Sequence, residues 1–248
     1  MPLPVKLDLG SAFKQYFEIV PALSDALKDE VFHVRHQVFC EDLAYEALRQ
    51  NQRESDEYDA HSIHVLIRSV KTGGFIGCTR IIRTRPDDPL YPLPFEKICV
   101  DVLDRTLVDP AKLPRDTIAE VSRLAVIARF RRRRGEEKNA LPDSDEDLGT
   151  DEQPRFPYIP ISLYLAATEL ARLNGIRTCF VLTEERLASH FRKIGFEPQT
   201  IGTAVEHRGR RIPSMMAPAT VIENLRDILR PLYQEVAYQV AKNMQIAQ

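Results

Sequence analysis

Apolar residues recur at three- and four-residue intervals between residues 22 and 40. There Leu23, Leu27, Val31, Val34 and Val38 predict a helix, with Ser24 or Asp25 as its cap. Arg35 and Phe39 stand one turn apart on it and so share a face. Ahead of it, residues 11–20 combine a short helix with a strand-like run from Tyr16 to Val20. Residues 41–62 lose the pattern and read as an irregular polar loop. Alternation returns in Ile63–Val70 and Phe75–Ile82, two strands joined by the hairpin signal Lys71-Thr72-Gly73-Gly74. Residues 84–94 hold four prolines and read as loop, followed by a short helix within Phe95–Leu103. Residues 161–174 form a helix on Leu163, Ala166, Ala167, Leu170 and Ala171, stopped by Gly175. Thr178–Thr183 is a buried strand, and Glu184–Ile194 a helix closed by Gly195. Strands are expected over Phe196–Gly202 and over Ala204–Met216, the latter turning at Arg208-Gly209. From Ala219 a stripe of Val221, Leu225, Ile228, Leu229, Leu232, Val236 and Val240 predicts one long helix, kinked at Pro231.

The chain is organised around Thr117–Phe130, an apolar strand with Glu120 and Arg123 embedded in it. A charge inside a strand is costly unless it is paired or faces a solvated cleft. Alternate strand residues face opposite sides, and Glu120 and Arg123 are an odd number of positions apart. They reach one face only across a bulge, so a bulge or kink is expected between residues 120 and 130. The strand runs into Arg129, Arg131, Arg132, Arg133, Arg134 and Gly135, a cationic loop suited to an anionic ligand. A strand edge with a surface ion pair and a solvated basic turn accounts for the same residues.

At 248 residues and 44% hydrophobic content, the chain is long enough for one domain with extensions and a sizeable core. The domain is expected over 1–218, with a C-terminal amphipathic helix over 219–248 packed on it. Acidic residues and prolines over about 136–157 mark a mobile insertion directly after the arginines. A net charge of −2 argues against bulk attraction to nucleic acid or an anionic membrane. Cys40, Cys78, Cys99 and Cys179 are scattered and read as reduced core thiols. No signal peptide or transmembrane segment is evident, so a cytoplasmic protein is expected. The pairs His33/His36 and His61/His64 lack a third ligand on a helix, and no metal site is expected.

The order helix, antiparallel strands, central strand with basic loop, helix, strand, helix, strands resembles the Gcn5-related N-acetyltransferase fold. So does Ala188-Ser189-His190-Phe191-Arg192-Lys193-Ile194-Gly195-Phe196, although Phe191 stands where many members carry a tyrosine general acid. Arg35 and Phe39, Asp56-x-x-Asp59, Arg80 and Glu120-x-x-Arg123 together resemble the signature of acyl-homoserine-lactone synthases and of long-chain N-acyl amino acid synthases. The phrasing of Phe32–Glu41 and Glu120–Val126 is most similar to acyltransferases associated with PEP-CTERM/exosortase systems.

The resemblance implies a mixed α/β (α+β) domain with a central, mostly antiparallel sheet that splays at the Glu120–Phe130 strand. It implies an N-acyltransferase that moves a long-chain acyl group from an acyl carrier protein or acyl-CoA to the amine of an amino acid or related acceptor. No permanently bound cofactor is expected. The donor's phosphopantetheine would meet Arg129, Arg131–Arg134 and Gly135, where acidic carrier proteins find an electrostatic landing site. Glu120 is the candidate proton acceptor, with a structural ion pair to Arg123 or Arg80 as its other reading. Arg35, Arg80 and Arg123 would clamp a carboxylate or orient the acids, and Asp56 and Asp59 would face the acceptor amine. Two further readings stay open: an acyl-homoserine-lactone synthase using S-adenosylmethionine, and a non-catalytic protein binding an acyl carrier or another partner.

Overall fold

The computed structural model describes residues 8–131, 149–150, 153–154, 158–193 and 195–246. Helix α1 (Leu9–Tyr16) leads directly into β1 (Phe17–Pro21), whose alternate residues Phe17 and Ile19 are fully buried. Ser24 caps α2 (Asp25–Arg35), its hydroxyl accepting from the Leu27 amide. Beyond Arg35 the helix widens into a π-helical segment, His36–Asp42, a geometry found mostly at functional sites. The segment 43–58 then crosses irregularly to β2 (Ser62–Ser69), which turns at left-handed Gly73 into β3 (Phe75–Arg83).

A long excursion follows, containing the short α3 (Pro94–Ile98). It is knotted by one buried arginine. Arg115 donates to the carbonyls of Pro89, Tyr91 and Pro110 and grips both oxygens of Glu96. Strand β4 (Ile118–Val126) comes next, then a small hairpin, β5 (Gly149–Thr150) and β6 (Gln153–Pro154). Helix α4 (Ile159–Leu173) is buried on most of its circumference, which explains its nearly unbroken apolar sequence. The remaining elements are β7 (Thr178–Thr183), α5 (Glu185–Lys193), β8 (Gln199–Thr200), β9 (Val205–Glu206), β10 (Arg210–Met216), α6 (Pro218–Glu223) and α7 (Arg230–Ile246).

The strands form one sheet in the order β1-β2-β3-β4-β7-β10-β8, with β9 paired to the end of β10. All pairings in it are antiparallel except β4 with β7. That parallel pair spans only Ile118–Glu120 against Thr178–Phe180, and beyond it the two strands part. The expected splay is therefore present, and Glu120 lies at its vertex. The main core lies around α1, α4 and α7, and a smaller apolar cluster of Tyr58, Ile82, Leu93, Phe95, Ile118, Phe180 and Ile201 sits under the excursion.

Two expectations need correction. The C-terminal stripe is two helices, not one kinked helix. A single-turn helix at Asp227–Leu229 separates α6 from α7, and Pro231 sits in the first turn of α7, where its missing N–H costs nothing. Gly195 explains the break spatially. At φ +92° it presses on the Asn224 carbonyl so closely that a Cβ would come within 2.3 Å. The Phe196–Gly202 run forms only the two-residue β8, with Gly202 making an isolated bridge to Leu103. Helix α7 buries Leu232, Val236 and Val240. Its Gln239 accepts from the Ile19 amide at 2.7 Å, fastening it to β1.

Candidate active site

Arg80 on β3 sits opposite His64 on β2 and Ser122 on β4, placing three polar side chains in a row across the sheet. The β4 ladder then slips. Three residues of β3, Cys78 to Arg80, lie against four of β4, Ser122 to Ala125. Arg123 takes the left-handed backbone, φ +55°, within this bulge. The predicted bulge is thus observed, and it turns the Arg123 side chain onto the same charged cluster as Arg80.

Helix α2 and the 54–59 segment supply the rest. Arg35 is fully buried; its Nε donates to Glu54 at 2.5 Å and its Nη1 to Asp59 at 2.6 Å. Arg80 donates from Nη1 to Asp56 and Asp59, both at 2.6 Å, from Nη2 to Asp56 at 2.8 Å, and from Nε to Ser122 at 3.1 Å. Longer bonds run from Arg123 Nη2 to Glu54 at 3.2 Å and to Asp56 at 3.1 Å, and the Phe39 ring lies 5.7 Å from its guanidinium. Three arginines thus meet three carboxylates, and the charges balance. Buried ions persist only under such full pairing.

Burial opposes the charge on Asp56, but hydrogen bonds and charge from Arg80, then the charge of Arg123, hold it well below the usual aspartate range. Asp59 is likewise lowered against burial, chiefly by the charges of Arg35 and Arg80. His64 is driven the other way. Burial pushes it down to about 4, so it is a neutral imidazole between the arginines and Asp59. Asp56 and Asp59 therefore spend their carboxylates on arginines, where the sequence reading had them facing an acceptor amine.

Glu120 differs from the carboxylates in this cluster. It is 4% exposed, and Oε2 accepts from the Phe95 amide at 2.8 Å. The ion pairs of Arg80 and Arg123 among the described residues go to Glu46, Glu54, Asp56 and Asp59, not to it. Burial raises its pKa from the ordinary 4.5 to about 7, against the Phe95 N–H and the arginine charges, which pull it down. The neighbouring arginines do pull it down, but desolvation outweighs them because no arginine bonds to it directly.

In the loop after β4, Arg129 is exposed beside the Phe130 ring, and Arg131 pairs with Asp42 at 2.6 Å. The Asp42 carboxylate also accepts from the Ala128 amide, so the end of the π-helical segment fastens the start of the basic loop. Arg132, Arg133, Arg134 and Gly135 lie outside the described residues, as does most of the acidic insertion. A cavity of about 490 Å³ opens beside this loop, lined by Glu30, His33, Val34, Gln37, Phe75 and Arg129. Phe191 is buried edge-on against Tyr164, with ring centroids 4.4 Å apart, and packs on Phe196.

The sequence reading missed Glu54 and Ser122. Ser122 stands inside Glu120-x-x-Arg123, and the signal for Glu54 is its place in an acidic run two residues before Asp56. Glu54 is 1% exposed and serves two arginines.

Residues 34–139 match the acetyltransferase (GNAT) domain family model. With the splayed sheet and the bulged fourth strand, the fold is GNAT-like. More particularly, a CoA-dependent acyl-homoserine-lactone synthase, an N-acyl amino acid synthase and TofI share it. TofI, in a ternary complex with an inhibitor and MTA, superposes with a TM-score of 0.56 at 20% identity, covering 87% of this chain and 95% of that one. The CoA-dependent synthase BjaI, with SAM and isopentyl-CoA, gives 0.56 at 17% identity over 93% of this chain and 99% of the other. FeeM, an N-acyl amino acid synthase from uncultured soil microbes, gives 0.54 at 12% identity over 84% and 94%. At such identities the likeness is one of fold. No curated protein matches the sequence. No helix among the described residues is long and apolar enough to cross a membrane.

Proposed function

We propose that this protein is an N-acyltransferase, moving a long-chain acyl group from an acyl carrier protein or acyl-CoA onto the amine of an amino acid or related small acceptor. The observation that carries the reading is Glu120. It is a carboxyl group at the vertex of the sheet's splay, with a pKa near 7 and no arginine bonded to it. A general base works best when its pKa lies near the operating pH.

In this reading the acceptor amine attacks the thioester carbonyl carbon. The N–C bond forms, the C–S bond breaks, and the thiolate leaves. Glu120 takes the ammonium proton, directly or through a water. A β-bulge leaves a residue out of the ladder pairing, and backbone N–H groups left out in this way can stabilise a developing oxyanion. Arg35, Arg80, Glu54, Asp56 and Asp59 hold α2, β3, β4 and the 54–59 segment in register. Phe39 and Arg123 line the acceptor side. Arg129 and Arg131–Arg134, ending at Gly135, receive the donor's phosphate or an acidic carrier surface.

No cofactor is permanently bound; phosphopantetheine or coenzyme A arrives with the acyl group. Residues 1–218 act as the acyltransferase domain and 219–248 brace it. The phrasing of the Phe32–Glu41 and Glu120–Val126 motifs supports a place within a PEP-CTERM/exosortase system, with the enzyme working in the cytoplasm. The test is incubation of the purified protein with acyl-CoA or acyl carrier protein thioesters and an amino acid mixture, read by mass spectrometry. New N-acyl amino acid masses support the reading. An acyl lactone formed only with S-adenosylmethionine replaces it with lactone synthesis, and no product from any donor leaves a binding protein.

A further inference from the structure

Arg208 occupies the turn between β9 and β10, in the left-handed backbone at φ +52°. Because β10 runs antiparallel to β7, with Ile212 opposite Thr183, this turn lies beyond the end of β7, on the open side of the splay. There it crosses to the other arm. Its Nη2 donates to Glu46 Oε1, and Arg123 Nη2 lies 3.6 Å from the same oxygen. One carboxylate oxygen is thus held between guanidiniums from the two arms, at the rim and not in the core. The side chains of Arg123, Glu46 and Arg208 are 16%, 22% and 31% exposed.

The deeper arginines are committed. Arg35 and Arg80 are 0% and 2% exposed and are bonded to Glu54, Asp56 and Asp59. A small anionic acceptor entering the cleft meets only Arg123 and Arg208 of this group. Glu46 reaches them from the irregular 43–58 segment, whose Tyr45 and Leu48 are exposed, and its own backbone is held by the Phe39 carbonyl at 3.1 Å. Its side chain can therefore swing away without unravelling the π-helical segment.

We propose that Arg123 and Arg208 are the receptor for the carboxylate of the acceptor, and that Glu46 occupies it as an internal stand-in in the free protein. The inference rests on the acyl-transfer reading and narrows it: the acceptor is an amino acid with a free carboxylate, not a simple amine. Two guanidiniums converging on one carboxylate favour an anion over an isosteric amide, because each contact is charge-assisted.

The experiment is calorimetric binding of N-decanoylglycine and N-decanoylglycinamide, which needs no turnover. The protein is expected to bind the acid at least ~10-fold more tightly than the amide, the scale of a charged hydrogen bond. Arg208→Asn, chosen because Asn tolerates the left-handed backbone, is expected to erase the difference while keeping the amide affinity. Arg208→Lys should restore part of it, and Glu46→Gln should tighten the acid alone. Equal affinity for the two probes, no binding of the acid, or discrimination that survives in Arg208→Asn overturns the receptor. Discrimination without any N-acyl product in the transfer assay keeps the receptor and removes the enzyme. Product formation with equal probe affinities does the reverse.

Discussion

Glu120 and Arg80 mark the two ways a charged residue is kept inside this protein. Glu120 keeps its proton near neutrality, so it weakens the fold as pH rises. Its folded pKa of about 7 lies above its ordinary 4.5, and the folded state therefore holds more protons between those values. Stability is fully retained below the lower value and falls through the window until the upper one is passed, by roughly 3 kcal/mol at most. Glu120→Gln should remove that fall, making the variant more stable relative to the parent at pH 8 than at pH 5 in urea titrations. The same substitution should lower kcat by at least ~10²-fold, the scale of lost general-base help. A variant with unchanged kcat would reduce Glu120 to a structural group. Arg80 behaves oppositely, because Arg80→Met leaves Asp56 and Asp59 short of their partner. The expected loss is ~3–5 kcal/mol, the cost of stranding buried charges, measured by chemical denaturation. A loss under ~1 kcal/mol would mean that water reaches the cluster.

Among the elements, α3 is small but decisive for Glu120, since it presents the Phe95 N–H to that carboxylate. Arg115 and Glu96 fix α3 in place. Arg115→Met should therefore destabilise the protein, and it should also move the rising, acid-side limb of the kcat–pH profile to higher pH, because the hydrogen bond that holds Glu120 down is loosened. An unmoved limb would separate α3 from the chemistry. Periodicity marks most of the elements because they are amphipathic: Leu27, Val31 and Val34 on α2, Val38 on the π-helical segment, and Val65 and Ile67 on β2. The β4 bulge was legible too, since Glu120 and Arg123 could not otherwise share a surface. What the chain did not disclose was the partner of each charge. Glu54 meets Arg35 and Arg123 only after the 43–58 segment has folded across α2. Along the strand Glu120 stands near Arg123, whereas α3, outside the strand, supplies its hydrogen bond. The π-helical widening after Arg35 was hidden because a 3.6-residue stripe runs through it unchanged.

At the scale of the whole molecule, the proposed function assigns the acyl donor to the arginines that follow β4 in the sequence. Reversing Arg132 and Arg133 to Glu should raise KM for an acyl carrier protein donor more than for a short acyl-thioester, and the gap should close as salt rises, since long-range steering is screened. Equal, salt-independent loss for both donors would contradict a docking role. The central claim is that Glu120 serves as the base at the vertex of this splay. Its most direct test is the pH dependence of kcat for N-acylation, parent against Glu120→Gln, with saturating acyl-thioester and amino acid. The account predicts that kcat in the parent rises with pH through a limb near 7, as the carboxyl loses its proton, and that this limb is absent from the residual activity of the variant. A limb near 7 that persists in Glu120→Gln would contradict it.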